Sequence, residues 1–138
     1  MTVHTSYDTD TIYTIGYGLR PWKDLVGLLE SVGVTAVVDV RSSRKSRRIE
    51  FTGPWLDSHL YAIGIESLWF GDQLGGKRAG SYHKHLATEE GENGLQRVEA
   101  LADRYVVALM CAEKDVRRCH RRHIAAALEA RGWTVVHL

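Results

Sequence analysis

Along the chain, short apolar runs alternate with stretches whose apolar residues recur every three or four positions. The run Ile12-Tyr-Thr-Ile-Gly16 reads as a first strand. Trp22, Leu25, Val26, Leu29 and Val32 then share one helical face, which predicts a helix over 21–32. Pro21 suits its first turn, where a missing N–H costs nothing. Gly33 follows as a helix terminator, and 34–40 reads as a buried strand. The same helix–glycine–strand joint recurs twice. A helix over 54–63, with Leu56, Leu60 and Ile63 inward, meets Gly64 and a strand over 65–70. A helix over 116–131 meets Gly132 and a strand over 133–138. A weaker helix over 89–103 precedes a strand over 105–110.

This alternation predicts an α/β fold: a three-layer α/β/α sandwich around a mainly parallel five-stranded sheet, Rossmann-like or flavodoxin-like. Its strand order is not encoded in any local pattern. The length of 138 residues fits one domain over 1–138, with 1–10 expected as a disordered N-terminal tail.

Composition narrows the class. At 44% hydrophobic and 25% charged residues, a disordered chain, a collagen-like fibre and a disulfide-dense peptide are excluded. No apolar run approaches the ~20 residues that span a bilayer, so no membrane partner is expected. The first ten residues lack the basic and apolar regions of a signal peptide. Two cysteines make no disulfide framework, and a reducing cytoplasm is the expected location.

Net charge is only +1, yet charge is segregated. Segments 41–48, 77–85 and 113–123 hold 13 of the 18 Lys and Arg residues but only two acids, Glu113 and Asp115. Each segment includes part of a connection that follows a strand. In a parallel sheet such connections share the carboxyl edge, where ligands of open α/β sheets bind. Arg41, Arg44, Lys45, Arg47, Arg48, Lys77, Arg78, Lys84 and Lys114 are therefore expected at one rim. A phosphate-bearing small molecule or a nucleic acid is the natural partner for such a rim. Gly75 and Gly76 before Lys77 and Arg78 suggest an anion nest, although no Walker loop is present.

Several residues carry chemistry. Asp39 is either an anchor for Arg41, two positions on, or an acid/base group. Tyr17 stands where it can stack on a ligand or simply pack. Cys111 ends a strand ahead of Asp115, a good helix cap, so the thiol is either activated or merely buried. The Cys-x5-Arg spacing from Cys111 to Arg117 resembles phosphatase and sulfurtransferase loops, but the loop lacks glycine and carries Glu113 and Asp115. Cys119 and His123, four apart, with His83 and His85, offer a metal-site alternative whose spacing is unlike that of structural zinc. A Cys111–Cys119 disulfide is disfavoured in a reducing compartment. Four tryptophans and six tyrosines leave scope for a homodimer patch. A thiol-redox protein using Cys111 and Cys119, and a non-catalytic adaptor with a basic face, stand as alternatives to phosphate binding.

The strings Thr14-Ile15-Gly16, Val38-Asp39-Val40-Arg41, Leu74-Gly75-Gly76, Met110-Cys-Ala-Glu-Lys-Asp115, Cys119-His120-Arg121 and Val135-Val136-His137 together resemble the bacterial and archaeal domain of unknown function 488 family. The resemblance runs from about residue 11 to 138. It implies a compact α/β domain with its site at Asp39, Arg41, Cys111, Glu113, Cys119, His120 and Arg121. It brings no settled activity and no cofactor. Members often carry His where Tyr17 stands and Pro where Arg44 and Val116 stand. On this reading Gly16, Tyr17, Arg41, Arg44, Arg47, Gly75, Gly76, Lys77, Arg78, Lys114 and Arg121 hold the ligand. Asp39, Cys111, Glu113, Cys119 and His120 supply the chemistry.

Overall fold

The computed structural model describes residues 10–78 and 80–138. The expected N-terminal tail, apart from Asp10, lies outside the described residues. Five strands, β1 (Thr11–Gly16), β2 (Ala36–Asp39), β3 (Glu66–Trp69), β4 (Val107–Cys111) and β5 (Thr134–His137), form one all-parallel sheet in the order β3-β2-β4-β1-β5. This is the α/β sandwich that the alternation predicts. Its order is the Rossmann sequence 3-2-1-4-5 with β1 and β4 exchanged.

The helices α1 (Trp22–Ser31) and α2 (Gly53–Ala62) follow β1 and β2 and cover one face. There Leu25, Leu29, Leu56 and Leu60 pack on Val37, Ala108 and Met110. Past β3, two short helices, α3 (Gly71–Leu74) and α4 (Tyr82–Leu86), interrupt what reads in sequence as one long loop. They lead into α5 (Glu89–Ala102), which covers the opposite face with α6 (Arg121–Ala130). On that face Leu95, Val98, Ile124 and Leu128 pack on Val38, Val107 and Leu109. Alternate residues of β2 and β4 thus serve opposite layers, as the two-residue period of a strand demands.

Gly33, Gly64 and Gly132 close the three short joints with φ of 73°, 82° and 100°, a left-handed turn that glycine adopts without steric cost. Ile63, expected inward, lies one residue beyond α2 and is half exposed.

The largest departure is in the last helix. The single helix expected over 116–131 is a 3-10 turn, Val116–Arg118, then an extended Cys119, then α6. Asp115 caps the turn by accepting from the Arg117 amide. Cys119, with φ −116° and ψ 147°, breaks the helix and turns its sulfur towards the Arg121 amide. Cys119 and His123 consequently do not share a helix face.

Candidate functional site

All connections that follow β1, β2, β3 and β4 meet at the carboxyl edge. Chains leaving β1 and β2 turn to one face and the chain leaving β4 turns to the other, so a crevice opens over β4. It encloses about 500 Å³. Tyr17 from the β1 side, Arg41, Ser42, Ser43 and Lys45 after β2, Gly76 and Lys77 after β3, and the Cys111–Glu113 and Arg118–His120 stretches after β4 line it.

On the β2 side the charges are spent inside the protein. Asp39 is fully buried. Its Oδ1 accepts from the Arg41 amide (3.1 Å) and Arg41 Nε (2.9 Å), and its Oδ2 from Arg41 Nη2 (2.8 Å) and Arg44 Nε (3.0 Å). Arg41 Nη1 donates to the Tyr17 hydroxyl and to the Phe51 carbonyl. Burial works against the Arg41 charge, but Asp39 and Tyr17 more than offset it and hold the guanidinium charged. Arg44 reaches on to grip Asp57 with both terminal nitrogens, at 2.9 and 2.7 Å. Burial raises the Asp57 carboxyl, whereas Arg44 and the Ser67 hydroxyl lower it further, so it stays below the usual carboxylate range. With four donors on its two oxygens, Asp39 is geometrically an anchor. Tyr17 lies flat on Phe51, ring centroids 3.9 Å apart, and packs as well as lining the crevice.

On the β4 side stands a buried guanidinium with no carboxylate. Arg121 is 1% exposed and has no ion-pair partner among the described residues. Its Nε donates to Cys111 Sγ (3.0 Å), Nη1 to Thr14 Oγ1 (2.8 Å), and Nη2 to the carbonyls of Glu113 (2.7 Å) and Lys114 (3.3 Å). Thr14 Oγ1 also lies 2.6 Å from His137 Nδ1. Gly16 makes the arrangement fit: an added Cβ would fall 1.9 Å from the Glu113 carbonyl oxygen and 2.7 Å from Arg121 Nη2.

The two thiols are unbridged and buried, and both are held by Arg121, one through its side chain and one through its amide. Cys119 Sγ accepts from the Arg121 amide (3.4 Å), the first of α6, and lies 3.7 Å from His120 Nδ1. His120 Nε2 is 2.8 Å from the Val40 carbonyl, which only accepts, so Nε2 carries a hydrogen and Nδ1 faces the sulfur. The Cys111 S–H faces the Glu113 carbonyl at 3.6 Å. The neighbouring Cys111, with His120 and the Arg121 amide, pulls Cys119 down against the effect of burial. Cys111 is pushed up, by its neighbour Cys119 and by burial, and these outweigh the guanidinium beside it.

The nine cations expected at one rim do share an edge, yet they do not share a pocket. Of them, Arg41, Lys45 and Lys77 line the crevice. Arg44 is taken by Asp39 and Asp57, and Arg48 by the Gly18 and Arg20 carbonyls. Arg78 binds Glu90 and the carbonyls of Gly75 and Asp72, in a neighbouring hollow with Lys84 and His85. Lys114 faces a third hollow beside Gly18, and Arg47 is exposed outside all three. Carboxylates and carbonyls from other elements divide the charge. Gly75 and Gly76 form no nest, since neither has positive φ. They are small because Ser42 and the His120 ring press on them, at 2.4 and 2.8 Å from an added Cβ. Glu113 turns its carboxylate back to the Asp115 amide while lining the crevice. The metal alternative finds no support. His85 is bound to the Gln73 carbonyl, and no group of three or more His, Cys, Asp or Glu among the described residues is placed to hold an ion.

The profile of the family described as domain of unknown function DUF488 matches residues 21–128, more than three quarters of the chain. The chain belongs to the DUF488 family. No curated protein matches it. The DUF488 match covers Asp39, Arg41 and the whole Cys111–Arg121 stretch but not Gly16, Tyr17 or His137, so it is shorter than the resemblance suggests.

Two features of this DUF488 site escape sequence reasoning. Arg118 faces the crevice while its neighbour Arg117 is held by Asp115, and the capping pattern that fixes the second would have singled out the first. Thr14 and His137 brace Arg121 from β1 and β5, a relation visible only once those strands pair. Among the described residues no helix is long and apolar enough to cross a membrane.

Proposed function

We propose that the crevice over β4 binds a small phosphate-bearing ligand of roughly mononucleotide size. The observation that carries this reading is the trio Lys45, Lys77 and Arg118. They come from three separate connections, face one hollow, and have no carboxylate partner among the described residues. Three cations without counter-ions repel one another, and a phosphate offsets that repulsion with several charge-assisted hydrogen bonds. The Ser42 and Ser43 hydroxyls beside them accept from the Lys77 and Lys45 amides, which leaves each hydroxyl hydrogen to donate to an anion. A volume of about 500 Å³ suits a nucleotide or a nucleic-acid end rather than a duplex. His120 and Glu113, on the same wall, are the acid/base candidates, and Asp39 drops from that role because its oxygens are occupied. A reducing cytoplasm suits the two unbridged thiols.

Calorimetric titration with adenosine monophosphate, pyrophosphate and a short single-stranded oligonucleotide, each at low and high salt, tests it. Binding of the monophosphate is expected, weakening as salt rises. The triple variant Lys45→Ala, Lys77→Ala, Arg118→Ala is expected to abolish binding while unfolding free energy stays within about 1 kcal/mol of wild type. Binding of the oligonucleotide alone moves the ligand to a nucleic-acid end. No binding, or binding indifferent to salt and to the triple variant, removes the proposal.

A further inference from the structure

A guanidinium buried to 1% without a carboxylate is costly, and something at the site must carry the opposing charge. The ionisable groups against Arg121 are Cys111, at 3.0 Å from Nε, and Cys119, which holds the Arg121 amide. Glu113 meets Arg121 only through its carbonyl, because its carboxylate turns away. A thiolate at one of these two sulfurs is the counter-ion that the site can supply for itself.

Geometry then separates the two sulfurs. Cys119 sits at the head of α6 with His120 beside it, on an extended residue between a 3-10 turn and the helix. Cys111 is the last residue of the central strand β4, paired to Gly16. The first belongs to a connection, the second to the sheet. Both line the crevice, but with exposures of 3% and 5% only a compact reagent reaches them.

We propose that Cys119 and Cys111 form a reactive dithiol, in which Cys119 attacks a small hydroperoxide and Cys111 resolves the product as an intramolecular disulfide. In the first step the Cys119 thiolate attacks one peroxide oxygen. An S–O bond forms, the O–O bond breaks, sulfur is oxidised to a sulfenic acid, and the departing oxygen is reduced and leaves as hydroxide, which takes a proton from solvent. In the second step Cys111 sulfur attacks Cys119 sulfur. The S–S bond forms, the S–O bond breaks, and hydroxide leaves as water with the Cys111 proton. A dithiol reductant returns the pair by exchange. Closing the bond to about 2.05 Å asks the Cys119 segment to move towards β4. Arg121 bridges both sulfurs and positions them. His120 Nδ1 touches the reacting sulfur.

The inference does not rest on phosphate binding, and its test is run without phosphate. Reduced wild-type protein is treated with one equivalent of hydrogen peroxide, then assayed for free thiols and by intact mass. Both thiols are expected to disappear with the loss of two hydrogens, and dithiothreitol restores them. Peptide mapping is expected to show the Cys111–Cys119 link in the wild type, whatever the fate of the variants. Cys111→Ser is expected to yield a sulfenic acid on Cys119 that dimedone traps. Cys119→Ser is expected to consume peroxide slower by roughly tenfold or more. His120→Asn slows the first step while circular dichroism stays unchanged. Thiols that persist in folded wild type, oxidation to sulfinic acid without a link, or equal rates in Cys119→Ser overturn the proposal.

Discussion

Arg41 and Arg121 are both buried arginines at the carboxyl edge of the sheet, and they are satisfied in opposite ways. Arg41 is locked to a carboxylate by a bidentate fork, and that carboxylate is gripped again by Arg44. Its charge is cancelled permanently at any physiological pH. Arg121 leans on a sulfur, a hydroxyl and two carbonyls, and its charge is cancelled only if a thiol ionises. A carboxylate partner makes a structural joint. A thiol partner makes a joint whose electrostatics depend on the chemical state of the sulfur.

The sharpest way to break this contrast is Asp39→Ala. It leaves the buried Arg41 guanidinium without an anion and Arg44 with Asp57 alone, and a loss of about 3–5 kcal/mol is expected in urea unfolding. A loss below about 1 kcal/mol would show that the site tolerates an unpaired Arg41, and the anchoring role would fail. Arg121→Met is expected to cost less, about 2–3 kcal/mol in the same assay. It forfeits four hydrogen bonds, but a thiol left without its guanidinium takes up a proton and is neutral, so no buried charge is stranded. If Arg121→Met proves the more damaging, the thiols are not its counter-charge.

The smallest effect concerns Asp57, the exposed end of the Arg44 bridge. Its folded pKa is depressed, burial being outweighed by Arg44 and Ser67. The stabilisation is therefore present above the unfolded carboxylate value near ~4 and lost as pH falls through the lower folded value. Asp57→Asn is expected to be less stable than wild type at neutral pH, by a modest margin because solvent screens the pair. The two curves should converge below about pH 4 in acid unfolding. A gap that persists to low pH would assign the contribution to packing instead.

Much of the fold is legible because its signals are local. Periodicity names α1, α2, α5 and the body of α6, though not the short α3 and α4, and glycine at 33, 64 and 132 marks each short joint. The Asp39–Arg41 pair is legible too, since residues two apart along an extended chain share a side. The strand order is not, because nothing in β1 states that β4 rather than β2 will lie beside it. The fate of the cations is equally hidden. Arg44 and Arg47 look alike in sequence, yet one meets Asp57 from α2 and the other meets solvent. The break at Cys119 carries no glycine or proline to announce it. It arises from the tertiary demand that Arg121 point inward while its amide reaches back to sulfur.

The position of β4 has a consequence for how the molecule comes into being. β1 touches only β4 and β5, and β2 touches only β3 and β4. A chain emerging from the ribosome therefore holds its first strand without any neighbour until residues beyond 106 have been made. Whatever shelters the Ile12 and Ile15 side chains in that interval must do so without the sheet, and the crevice cannot close before the residues after β4 are made.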